Sequence, residues 1–136
     1  MAQELKREFW VEEEKTKYSI EWKLDENEEI DAVEVEKTWY PIYPYGNYVK
    51  RVIRVWWAYD SKLPLCIEVF KVRMSWNGTG RDDVLSLCFN DYSPETPSFL
   101  WNEMIESINS AEDVKNYVKK VAEWLNNLIN DTISFV

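Results

Sequence analysis

Between residues 17 and 24 the chain alternates without a fault: Tyr18, Ile20, Trp22 and Leu24 fall on one side, and Lys17, Ser19, Glu21 and Lys23 on the other. A period of two marks a strand with one buried face. The preceding REFWVEEE pairs with it through a polar turn near Lys15, and after the turn DENEE the run IDAVEVEKT reads as a third strand. WYPIYPYGN, with two prolines and a glycine, interrupts regular structure and reads as an ordered aromatic loop. NYVKRVIRVWWAY (47–59), LCIEVFKVRMSW (65–76) and VLSLCFN supply three more strands. NGTGRDD, between the last two, holds two of the three glycines and reads as a flexible loop.

Beyond YSPETP the period changes. Thr96 followed by Pro97 is a helix start, and Trp101, Met104, Ile105 and Ile108 recur at helical spacing. Ser110 with Asp113 forms a capping box that opens a second helix running to about Asn130. There Val114, Val118, Val121, Leu125 and Leu128 step by four and three like a coiled-coil seam, with Tyr117 and Trp124 as a second stripe beside it. Packing on the sheet accounts for one stripe. Both together are wider than one face needs, so a homodimer through the C-terminal helix is expected. The fold class is α+β in a single domain, 1–136: an antiparallel sheet of five to six strands (1–90), then two C-terminal helices (96–130), the last with a zipper-like stripe.

With 136 residues, 46% of them hydrophobic and 8 Trp and 8 Tyr among them, the chain has material for one core. No run reaches the length of a membrane span, and MAQELKREFW is charged where a signal peptide is apolar, so a cytoplasmic protein without membrane contact is expected. Histidine is absent, which excludes imidazole triads and, with only Cys66 and Cys88, the usual zinc sets. No cofactor or metal is expected. The two cysteines lie in apolar runs and read as buried thiols, a disulfide between neighbouring strands being the alternative. Glu21-Trp22-Lys23 matches half of a metal-dependent nuclease motif but lacks the proline-aspartate partner, and no enzymatic activity is expected.

Charge changes this picture. The net charge is −9, yet residues 37–81 hold eight bases (Lys37, Lys50, Arg51, Arg54, Lys62, Lys71, Arg73 and Arg81) against Asp60 and Glu68. The same island holds ten of the chain's aromatics, among them Tyr43, Tyr45, Tyr48, Trp56 and Trp76. Side chains two apart in a strand share a face. If strands four and five present their non-core faces together, Lys50, Arg54, Lys71 and Arg73 join Tyr48, Trp56, Ile67 and Val69 on one surface. Cations that follow phosphates beside rings that stack on unpaired bases suit a single-stranded nucleic acid. The expected contacts are Trp56, Tyr48, Tyr43 and Tyr45 for stacking and Lys50, Arg54, Lys71 and Arg73 for phosphates, with Trp39 and Trp76 as additions. The acidic flanks keep duplex from adhering elsewhere. Their alternative reading is an acidic interaction or inhibitor protein, of viral type, that blocks a nucleic-acid-binding partner.

The basic, aromatic segments YVKRVIRVWWAY and CIEVFKVRMSW, followed by the helix AEDVKNYVKKVAEWLNNLI, resemble in organisation the ThermoDBP-like single-stranded DNA-binding proteins of hyperthermophilic archaea. The resemblance implies an antiparallel sheet whose aromatic cleft holds single-stranded DNA between basic margins, and helices that make a dimer. The Glu- and Lys-rich surface is in keeping with a hyperthermophile. Single-stranded DNA is the partner expected, RNA being served by the same contacts.

Overall fold

The computed structural model describes residues 4–42, 46–57, 65–89, 95–102 and 105–129. Six strands form one antiparallel sheet: β1 (Glu4–Val11), β2 (Thr16–Leu24), β3 (Ile30–Trp39), β4 (Tyr48–Trp57), β5 (Leu65–Ser75) and β6 (Gly78–Phe89). Each pairs with its neighbour in the chain, so β1 and β6 are the edges. The turns have local causes. After the 3-10 turn Glu12–Glu14, Lys15 adopts left-handed backbone at φ 51°. Between β2 and β3 the Asp25 carboxylate accepts from the main-chain N–H of Asn27 at 2.8 Å and of Glu29 at 3.0 Å, which closes the connection.

The flexible loop expected at NGTGRDD is instead a tight hairpin. Ser75 pairs with Gly78, Trp76 and Asn77 alone form the turn, and Gly78 at φ 138° supplies a conformation other residues strain to adopt. β6 consequently begins at Gly78 rather than at Val84.

One long helix, not two, covers the sheet. It is α2 (Ala111–Ile129), and the serine half of its cap forms as expected: Ser110 Oγ accepts from the Asp113 N–H at 3.2 Å, while the Asp113 carboxylate reaches one residue farther back, to the Asn109 N–H at 2.9 Å. The other expected helix shrinks to a single turn, α1 (Phe99–Asn102), and a 3-10 turn at Ile105–Ser107. The Leu100 carbonyl of this turn accepts from the buried Trp22 indole at 3.3 Å and the Tyr117 hydroxyl at 3.0 Å, which ties the turn to β2 and α2.

The core lies between α2 and one face of the sheet. Val114, Tyr117, Val118, Val121 and Leu125 are buried against Tyr18, Ile20, Trp22, Val33, Val35, Ile53, Val55, Leu65, Ile67 and Val69, and Trp124 and Leu128 pack on the same cluster. Edge-on contacts of Tyr117 with Trp22 (6.0 Å) and Phe99 (5.9 Å) lock the helix in rotation. Both stripes read from the helix therefore serve the chain's own core. Its exposed side carries Glu112, Asn116, Lys119, Lys120, Glu123 and Asn127. Among the described residues no helix is long and apolar enough to cross a membrane.

Cys66 and Cys88, expected as thiols, form a disulfide with Cα atoms 4.1 Å apart. The β5–β6 register places them directly opposite one another, which is what brings the sulfurs together.

Candidate nucleic-acid interface

Strand register sorts the basic residues, and not as alternation within each strand suggests. Lys50 pairs with Val72 and Arg54 with Glu68, whereas Arg51 pairs with Lys71 and Val49 with Arg73. Paired residues share a face. Lys50 and Arg54 therefore stand with Tyr48 and Trp56 on the outer face, away from α2, while Lys71 and Arg73 stand on the helix side. The expected common surface of these four cations does not form, and Ile67 and Val69, expected beside them in the open, are buried beneath α2. The cause is the first half of β5, which is apolar on both sides and leaves the pairing with β4 to decide which side meets the helix.

On the outer face the cations already have anionic partners. Arg54 bridges Glu34 at 2.9 Å and Glu68 at 3.2 Å, and Arg81 bridges the same Glu68 at 3.4 Å and Asp83 at 2.8 Å. Both guanidiniums lie over the Phe70 ring, at 5.6 Å and 3.8 Å. Lys50 reaches Glu36 at 3.4 Å. Burial, and then the neighbouring Glu34, hold the Glu36 carboxyl above the usual carboxylate range. Burial also works against ionisation of Glu34, but hydrogen bonds led by that of Arg54 bring it below that range. These charges roof a small apolar layer, Val52, Cys66 and Phe70. Trp56 is half-buried opposite Ala32 and Cys66, about 26 Å along β4 from Tyr48.

The helix side is different where the strands run out from under α2. Three cations face one another across adjacent strands: Lys37 on β3, Arg51 on β4 and Lys71 on β5. The next row outward holds Trp39, Val49 and Arg73. Together with Glu14 and Thr16 these residues line a groove of about 560 Å3. Like charges directly opposite in a sheet repel, and the strain registers at Lys37: burial first, then the positive charge of Arg51, depress its pKa below the ordinary lysine value. Two carboxylates border this row, and Asp82 stands opposite Lys71 in the β5–β6 register. Asp82 bonds Arg73 at 2.8 Å, and Glu14 bonds Lys115 at 3.1 Å and the Tyr18 hydroxyl.

Exposed apolar side chains gather at this same end. Trp39 is 46% exposed, Trp76 at the β5–β6 turn is 90% exposed, and Trp10, Ile42 and Met74 are exposed as well. Tyr48 ends a chain of rings, Trp10–Tyr40 at 5.8 Å and Tyr40–Tyr48 at 6.0 Å, on the other side of the same sheet end. Tyr43 and Tyr45 lie outside the described residues. Of the expected contacts, the structure thus brings Lys71 and Arg73 together with Trp39 and sets Tyr48 on the reverse side. Lys50, Arg54 and Trp56 stand on that reverse face too, farther along β4.

Lys37 and Arg51 were missed as site residues, although the sequence carries a signal for them. In three successive strands a basic residue continues the parity of the core positions: Lys37 after Val33 and Val35, Arg51 before Ile53 and Val55, Lys71 after Ile67 and Val69. Antiparallel pairing then brings all three to one end. Chemically the groove offers fixed positive charge beside an indole face. Among the described residues no group of three or more His, Cys, Asp or Glu side chains is placed to hold a metal ion. Comparison with protein-family models, with curated proteins and with solved structures gave no match.

Proposed function

We propose that the chain binds single-stranded DNA, without catalysis and with little sequence preference, along the groove at the uncovered end of the helix-side face. One observation carries this reading: Lys37, Arg51 and Lys71 stand side by side across three strands, with Arg73 and the exposed Trp39 in the adjoining row. Like charges held in register across three strands call for counter-charge. Polymer phosphates meet that need, and an open indole favours unpaired bases over duplex, whose bases have no free face. This is the mode of binding that the resemblance to the ThermoDBP-like proteins implies, moved from the outer face to the helix side.

Titration with a single-stranded oligonucleotide at low salt is expected to quench tryptophan emission. With three to four phosphates contacted, the slope of log affinity against log salt should be about −2 to −3. Trp39→Ala is expected to weaken binding about tenfold, since stacking contributes about 1–3 kcal/mol per base. Trp56→Ala, on the other face, should leave it unchanged. Emission that does not respond to the oligonucleotide, or a loss found with Trp56→Ala but not with Trp39→Ala, would refute the assignment.

A further inference from the structure

The row of cations has an end. Reading across the sheet from Lys71 through Arg51 to Lys37, the next position is Tyr18 on β2, which is 4% exposed. Lys115 of α2 stands over its ring, Nζ 5.0 Å from the centroid, and Lys37 approaches the same ring to 5.9 Å. A polymer laid along the row therefore meets the helix as a wall and cannot continue straight.

At that wall a second, smaller cleft opens between β2, β3 and α2. Its volume is about 220 Å3, and it shares Glu14 and Lys37 with the groove. Val35, Val114 and Val118 give it apolar walls, and Lys37, Lys115 and Lys119 stand at its rim. Cavities of about 150 Å3 accept a benzene ring, so one nucleobase is a fitting occupant. Two carboxylates line it: Glu14 is held by the Tyr18 hydroxyl and by Lys115 at 3.1 Å, and Glu36 reaches Lys50 outside the cleft at 3.4 Å, so Lys37 and Lys119 leave the rim with an excess of positive charge. An internal phosphodiester carries one negative charge. A terminal phosphate monoester carries nearly two at neutral pH, with three acceptor oxygens.

We infer that the groove ends in a subsite for the phosphorylated end of a single strand, the last base in the valine-walled cleft and its phosphate among Lys37, Lys115 and Lys119. This rests on the groove being a nucleic-acid surface, and it adds a preference for ends to that reading. The strand runs across β5, β4 and β3 and stops against α2.

The test is competition against an internally labelled single strand by four unlabelled forms of one sequence: hydroxyl-ended, 5′-phosphorylated, 3′-phosphorylated and circular. One phosphorylated form is expected to compete about tenfold better than the hydroxyl-ended strand, as suits one added set of charge-assisted contacts; which one it is fixes the polarity. The circle should compete no better than the hydroxyl-ended strand. Lys119→Gln, at an exposed position, should abolish the advantage of the phosphorylated end and leave circle binding unchanged. Equal competition by all four forms would overturn the end subsite while the groove stands. Failure of the labelled strand itself to bind would remove both.

Discussion

Lys37 sits where its own charge is unwelcome. Tyr18 and Arg51 flank it in register, no carboxylate is paired opposite it, and its pKa is depressed by burial and by the neighbouring guanidinium. A lysine whose folded-state pKa lies below its unfolded value destabilises the fold fully at neutral pH, and that penalty fades only as pH rises through the depressed value toward the unfolded one. Lys37→Gln is therefore expected to stabilise the free protein by about 0.5 kcal/mol, an upward shift of about 1–3 °C in thermal unfolding. The same substitution should weaken oligonucleotide binding. A variant that gains stability while losing its ligand separates a functional residue from a structural one. At this scale the residue types were legible: the sequence shows that cations and rings coincide in residues 37–81. Which of them meet was not, because Lys50 and Lys71 differ only in the parity that pairing imposes.

Among the elements, the strands were the most legible, since alternation such as that from Lys17 to Leu24 is set by burial of one face alone. β5 was legible as a strand but not in its facing, because Leu65, Cys66, Ile67, Val69 and Phe70 are all buried. The first helix was misread for another reason. Its spacing and its Thr-Pro start are helical, but this segment is fixed by tertiary bonds of Trp22 and Tyr117, distant in the chain, which local spacing does not reveal. The hairpin turn at Trp76–Asn77 was hidden because two glycines suggest a loop as readily as a tight turn. The disulfide of β5 and β6 also yields a prediction. It closes a separation of 22 residues, for which restriction of the unfolded chain contributes about 3 kcal/mol. Urea unfolding with and without reductant is expected to differ by that amount, whereas unchanged midpoints would show that the bond adds nothing to stability.

For the whole molecule, the α+β class and the order of strands before helix followed from the change of period along the chain. The heptad rhythm does not by itself tell a dimer seam from the stripe of an amphipathic helix that lies on a sheet. With that stripe inside the core, pairing through α2 would have to bring together the polar residues of its outer side, such as Glu112, Lys119 and Glu123. Sedimentation is accordingly expected to return the mass of one chain, 16.4 kDa, and twice that mass would require an interface elsewhere. The net charge of −9 makes long-range attraction of DNA weak, so capture depends on the local field of the groove and is sensitive to salt.

The chain-order pairing of the strands has a consequence for biosynthesis. Every strand partner is present once Phe89 has emerged from the ribosome, yet α2 begins only at Ala111. A nascent chain thus shows its aliphatic side to the surroundings until the final helix arrives, and a premature stop before Ala111 would release an adhesive sheet with nothing to shield it.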